Sequence, residues 1–346
     1  MNWHELARLA QQHGVVPQVY SAAANSSGGG QALAALYQAN VRQTLWLTGE
    51  LLRILKKFEG ASVEVLPYKG PVLAETLYGD VSMRQFSDLD LLVRRDDVVK
   101  IKKLLAEIGY EAGLNLNANE QKAHLKYGYE YTFNGPRGDN LIEIQWQILP
   151  RFYSVDFDVA GFFERAIDTR VNGVSVRTLS NRDLFLVLSV HAAKHAWVRL
   201  CWLCDLVELA KRDLDWQAIH EQARALGIQR IVAVTFLLAR RLLAGQLPGA
   251  IERFIVKDAD AASLADQIVP TITGAEQIDV ESLAYFGLML NCRERWKDRA
   301  RFLWRLGITP SVAEWSAMRL PEPLFPLYRA LRIGRVAKRL VVSQHC

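Results

Sequence analysis

The apolar positions of the chain change their period twice. Over residues 2–13 they recur at helical spacing, with Trp3, Leu6, Leu9 and Ala10 on one face, and Gly14 and Pro17 close that helix. The stretch 21–30 is small and rich in Gly and Ser, so it reads as a loop or flexible joint. A longer helical pattern follows from about Ala32 to Phe58, with Leu36, Val41, Leu45, Leu52 and Leu55 among its apolar positions, and Gly60 ends it.

The period then shortens. SVEVLPY (62–68) reads as a buried strand, and VLAETLYG (72–79) as a short helix after a Lys-Gly-Pro turn. A second strand is expected at about 87–93 and a helix at 96–110. YGYEYTF (127–133) and NLIEIQWQI (140–148) read as two antiparallel strands, because turn-forming residues join them. VNGVSVRTL (171–179) predicts another short hairpin. From Asn181 the helical period returns and persists to about Leu306, including one helix expected over 184–210. The pattern divides the chain into a helical segment at 1–60, an α/β segment at 61–180 and a helical segment at 181–346.

Composition narrows the class. The chain has 346 residues, 50% apolar and 23% charged, as expected of a packed globular protein. No long uncharged apolar run predicts a spanning helix, and the first residues lack a signal-peptide core. Four scattered cysteines suit a reducing cytoplasm. The net charge of +5 is uneven: residues 292–346 hold 12 Lys/Arg against 4 Asp/Glu, and the remainder is slightly acidic. A broad nucleic-acid surface is therefore not expected. The basic segment 326–342 is a solvated helix, a weak contact with an anionic membrane face or a site for an acidic partner.

The chemistry starts with Asp88 and Asp90. On a strand they project to one face, and two carboxylates side by side call for a cation such as magnesium. In isolation such a pair is as readily a turn or a solvated strand end. Glu143 alternates between Ile142 and Ile144, so it faces either solvent or a site. If its strand lies beside that of Asp90, the three carboxylates can hold two divalent cations about 3.5–4 Å apart, an arrangement suited to phosphoryl displacement. Lys69 and Gly70 sit between a strand and a helix, where a close turn, free N–H groups and an ammonium favour phosphate. Arg84 is placed to reach the same phosphates, or is an ordinary surface arginine.

In sum, KGPVLAETLYGD, MRQFSDLDLLV, LIEIQW and HAAKHAWVRLCWLCDL resemble an uncharacterised bacterial nucleotidyltransferase family of the DNA polymerase beta-like superfamily, of the type often found beside exopolysaccharide and lasso-peptide biosynthesis genes. The resemblance runs from the N-terminal helices to about residue 210. It implies an α+β fold, a small mixed-sheet core flanked by helical regions. It also implies metal-binding roles for Asp88, Asp90 and Glu143 and a phosphate-loop role for Gly70. Two departures stand out. Pro71 replaces the serine usual after the loop glycine, and Gln145 stands where the family often has histidine, so no proton carrier is available there.

His191 and His195, spaced i, i+4, read as zinc ligands, as part of a helix set against the catalytic sheet with Lys194 or His195 facing the nucleotide phosphates, or as packed interface histidines. Cys201 and Cys204, placed mid-helix, read as core packing, and Asp205 as a partner for a basic residue. The expected activity is magnesium-dependent transfer of an NMP from an NTP, such as ATP, to a hydroxyl or phosphate of a small molecule, sugar or peptide, with manganese as an alternative metal. Competing expectations are a nucleotide-binding protein without turnover and a toxin-like transferase acting on tRNA or protein. The expected location is the cytoplasm or the inner membrane face.

Overall fold

Strands β1 (Val65–Pro67), β2 (Leu89–Val93), β3 (Glu111–Ala112), β4 (Glu130–Gly135) and β5 (Gly138–Gln145) form one sheet in the order β1-β2-β5-β4-β3. The β2–β5 pairing is parallel and the others are antiparallel. The computed structural model describes residues 2–23, 29–135, 138–243, 249, 251–252, 258–274, 279 and 282–342. It is a mixed α+β fold, with helices flanking the sheet on both sides in sequence. A hairpin of β6 (Ile167–Val171) and β7 (Val174–Thr178) packs beside β1, where Thr178 donates to the Pro67 carbonyl at 2.7 Å.

Alternation along β2 and β5 sets the two faces of the sheet. Leu89, Leu91, Val93, Ile142 and Ile144 enter a core with Leu47, Leu51, Ile54 and Phe58 of α3 (Gly29–Glu59) and Val98, Ile101 and Leu105 of α5 (Val98–Glu107). Each such side chain contributes about 1.5–3 kcal/mol by burial. Leu92 points the other way and joins the core of the C-terminal helices. That second core also takes Leu66 and Tyr68 from the β1 region and Leu73 from α4 (Gly70–Tyr78). Apolar packing therefore runs without a break across residue 180.

The helices α1 (Trp3–His13) and α2 (Val16–Ala23) pack on α3, and α2 and α3 hold the segment that leads into β2. Val16 N–H donates to Gln85 Oε1 at 2.8 Å, Gln18 to the Met83 carbonyl at 2.8 Å, and Asn40 to the Ser82 carbonyl at 2.7 Å. Residues 21–23 end α2 and 29–30 begin α3, where a loop was expected; residues 24–28 of that stretch lie outside the described residues. Leu45 was expected on the apolar face of α3 but is 57% exposed, because the buried stripe runs through Leu47, Leu51, Ile54 and Phe58.

Other expected elements shift. The first strand contracts to three residues, and the short helix starts two residues early, at Gly70. The segment expected to begin a strand at Tyr127 instead ends helix α6 (Ala118–Tyr127), which a capping box of Asn117 and Glu120 starts and Gly128 terminates. The helix expected over 184–210 is two helices, α8 (Asn181–Lys194) and α9 (Leu200–Ala210). Between them Ala196 and Trp197 both adopt the left-handed conformation, with φ of 49° and 53°. Trp197 is fully buried and donates from Nε1 to Thr235 Oγ1 at 2.8 Å, which fixes the break. No helix among the described residues is long and apolar enough to cross a membrane.

Candidate active site

The sheet face opposite the α3–α5 core opens on a cavity of about 460 Å³. Asp88, Asp90, Glu143 and Gln145 form one wall, and His191, Lys194, His195, Arg199 and Trp202 form another. The parallel register places Asp90 directly beside Glu143, and Leu92 beside Gln145. Asp88 lies two residues before Asp90 and points to the same side. The three acidic residues singled out in the sequence thus share one cavity.

The carboxylates are closely supported. Lys69 Nζ donates to Asp90 Oδ1 at 2.7 Å, and both side chains are buried. Gln145 Nε2 donates to Glu143 Oε2 at 2.8 Å and lies 3.4 Å from Asp90 Oδ1 and from Glu130 Oε2. The Tyr68 hydroxyl donates to Gln145 Oε1, which turns the amide nitrogen toward the carboxylates. Glu130, on β4, was not singled out in the sequence, yet its register opposite Gln145 makes it a fourth carboxylate of this group.

Electrostatics follow from burial and crowding. Burial, then the neighbouring Asp90, raises the Asp88 pKa, with Lys69 opposing. Burial, Asp90 and Glu130 together push Glu143 up as well. Burial works against the charge on Lys69, but Asp90, Glu143 and Asp88 outweigh it and hold its pKa above the ordinary value. On the opposite wall burial, Lys69 and the neighbouring His195 keep His191 neutral. Burial and Lys194 lower His195 to about 3.

The expected phosphate ligands are placed unevenly. Lys194 lines the cavity with its ammonium 3.4 Å from the Tyr129 hydroxyl. Lys69 lines it too, but is engaged with Asp90. Arg84 is no surface arginine: it is buried, and its Nε pairs with Asp205 at 2.9 Å, while Tyr78 donates to the same carboxylate at 2.9 Å. Both Arg84 hydrogen bonds to Asp205 use Nε, and the side chain still borders the cavity. Gly70 lies behind the wall. Its φ is 54°, and a β-carbon there would stand 3.2 Å from the Asp88 carbonyl oxygen, so this position needs glycine.

His191 and His195 pack against each other and against Trp202, with ring centroids 4.8–5.4 Å apart. The packed reading of the histidine pair is the one this contact supports. Cys201 and Cys204 lie in the first two turns of α9, not mid-helix as expected, because the chain breaks at Ala196–Trp197. Their thiols are nevertheless raised to about 12 by burial and Asp205, and Cys201 packs against Gly14, so packing remains their role.

A hard divalent cation suits the oxygen donors of Asp88, Asp90 and Glu143, and it would add to the charge balance that Lys69 gives Asp90. Among the described residues, no three His, Cys, Asp or Glu side chains stand close enough, as they are, to hold a metal ion. The donor set fits by chemistry and charge; Lys69 and Gln145 donate to carboxylate oxygens of Asp90 and Glu143 that would hold such a cation.

The chain has a counterpart among known protein families. Residues 1–244 match the family described as uncharacterised nucleotidyltransferase. The chain belongs to that family. Membership covers the whole α/β segment and the helices α8, α9, α10 (Trp216–Leu226) and α11 (Gln229–Leu242), hence every residue of the cavity. Among solved structures, an antigenic nucleotidyltransferase-like protein from Paracoccidioides brasiliensis is similar at 15% identity, over 60% of this chain and 96% of its own, with a TM-score of 0.34. No curated protein matches the chain. The family supports nucleotidyl transfer as the general chemistry of this nucleotidyltransferase.

Proposed function

We propose that this nucleotidyltransferase moves a nucleoside monophosphate from a magnesium-bound NTP to a hydroxyl or phosphate of a small molecule, sugar or peptide, releasing pyrophosphate. The observation that carries the proposal is the register of β2 on β5, which sets Asp90 beside Glu143 on a cavity wall. Asp88, Asp90 and Glu143 would hold the cation. When bound, it supplies positive charge at the reacting phosphate and favours ionisation of the acceptor hydroxyl.

The chain's own residues supply the rest. Lys194 and Arg199 bring positive charge to the wall facing the carboxylates, where a triphosphate needs it. The neutral imidazoles of His191 and His195 present hydrogen-bonding edges without adding charge. Glu143, which lines the cavity beside Asp90, would also help take up the acceptor's proton. Arg84 reaches the cavity from its anchor on Asp205 and adds charge at the phosphate end.

The test is pyrophosphate release and NMP incorporation with labelled NTPs and candidate acceptors. Asp88→Asn and Glu143→Gln are expected to lower transfer by about 10²-fold or more, as removal of groups acting at the transition state does. Circular dichroism should show an unchanged fold. Retained turnover in the double variant would overturn the assignment. Nucleotide binding without pyrophosphate release would favour a binding protein, a reading supported by the engagement of Lys69 with Asp90.

A further inference from the structure

We infer that Lys69 is a resident counter-ion that must leave Asp90 for a divalent cation to be held there, and that its ammonium then passes to the phosphates of the incoming nucleotide. The inference rests on the transfer reading above and adds an order of events to it. Lys69 Nζ already occupies Asp90 Oδ1 at 2.7 Å, and Gln145 Nε2 approaches the same oxygen at 3.4 Å. That oxygen thus has two donors before any ligand arrives. Consistently, no group of three metal-ligating side chains stands ready among the described residues.

The position of Lys69 suits such an exchange. It is the residue immediately before α4, and its backbone is held by the left-handed turn at Gly70, which packs on the Asp88 carbonyl. The ammonium sits on a flexible four-carbon stem, so the charge can swing while the backbone stays fixed. It borders the same cavity as Lys194 and Arg199. A divalent cation arriving beside an ammonium on one oxygen is repelled by it, and the repulsion is strong because both are buried. A triphosphate offers the displaced ammonium new oxygens. Cation and nucleotide therefore favour each other's binding, and the coupling is reciprocal.

The experiment uses Mn²⁺ as the probe, titrated into the full-length protein and followed by electron paramagnetic resonance, with and without a non-hydrolysable ATP analogue. The chains compared are wild type, Lys69→Met, Lys69→Gln and Asp90→Asn, each checked by circular dichroism. Lys69→Gln removes the charge but keeps a donor for Asp90, so it serves if Lys69→Met does not fold. Both neutral variants are expected to bind Mn²⁺ alone about tenfold more tightly than wild type. The analogue is expected to tighten Mn²⁺ binding to wild type and to tighten it less in the Lys69 variants. If the Lys69 variants bind Mn²⁺ no more tightly while Asp90→Asn weakens binding, the counter-ion role falls and the transfer reading stands. If Asp90→Asn leaves Mn²⁺ binding unchanged, or no chain binds Mn²⁺, the carboxylates hold no cation and both fall.

Discussion

His191 and His195 face the carboxylates across the cavity, and their titration is the chemistry of single residues. In the unfolded chain an imidazole takes up a proton near pH 6.5. In the fold, burial and Lys194 hold His195 neutral down to about 3, and burial holds His191 neutral well below its ordinary value. The unfolded chain therefore binds more protons between those limits. The stabilising contribution is complete above about pH 6.5 and is lost as pH falls toward 3, at up to roughly 1.4 kcal/mol per pH unit for each histidine. Glu143 and Asp88, whose pKa values are raised, work in the opposite sense over the same range, so the histidine contribution is read as a difference: in urea denaturation at pH 7.5 and 5.5, His195→Gln should lose less stability on acidification, or gain more, than wild type. At this scale the sequence was informative where alternation alone decides a direction: Asp88 and Asp90 share a side, and Glu143 opposes Ile142 and Ile144. It gave Asp205 a basic partner without naming Arg84 and was silent on Lys69 with Asp90, because each pair forms only when separate elements pack.

The break between α8 and α9 decides which residues reach the cavity. Ala196 and Trp197 turn the chain so that Arg199 and Trp202 line the wall started by His191 and Lys194. Neither residue is a glycine or proline, so nothing local in the sequence marks the turn. What holds it is distant: the Trp197 ring lies in the helical core and its Nε1 reaches Thr235. Trp197→Ala is expected to cost about 3–5 kcal/mol in urea denaturation. It should also weaken nucleotide binding, read by calorimetry on the folded fraction, because the wall loses its anchor. α6 was overlooked for a different reason. Its sequence has few apolar residues, and only the Asn117–Glu120 capping box announces it.

The whole molecule is tied together through the site. One core joins Leu66, Tyr68, Leu73 and Leu92 to side chains as far along as Phe302. The N-terminal helices hold the segment 82–85 through Gln18, Asn40 and the Val16 amide. The cavity has one wall from the α/β segment and one from the helical segment. A fragment of residues 61–180 is therefore expected to lose cooperative unfolding and nucleotide binding together, in thermal denaturation and calorimetry, since cutting at 180 divides a core and a site at once. The order of helical and strand segments was readable from periodicity. The shared core was not, because periodicity shows which face of an element is apolar but not what covers it.

The parallel pairing of β2 with β5 has a consequence in time. Every other pairing in the sheet is antiparallel, and the β4–β5 hairpin can close locally. Asp90 and Glu143 meet only when β5 returns across the sheet to lie beside β2. Non-local pairings of this kind form slowly. A growing chain therefore carries its acidic residues as unrelated charges while the local elements take shape. They become a site in the late step that completes the sheet.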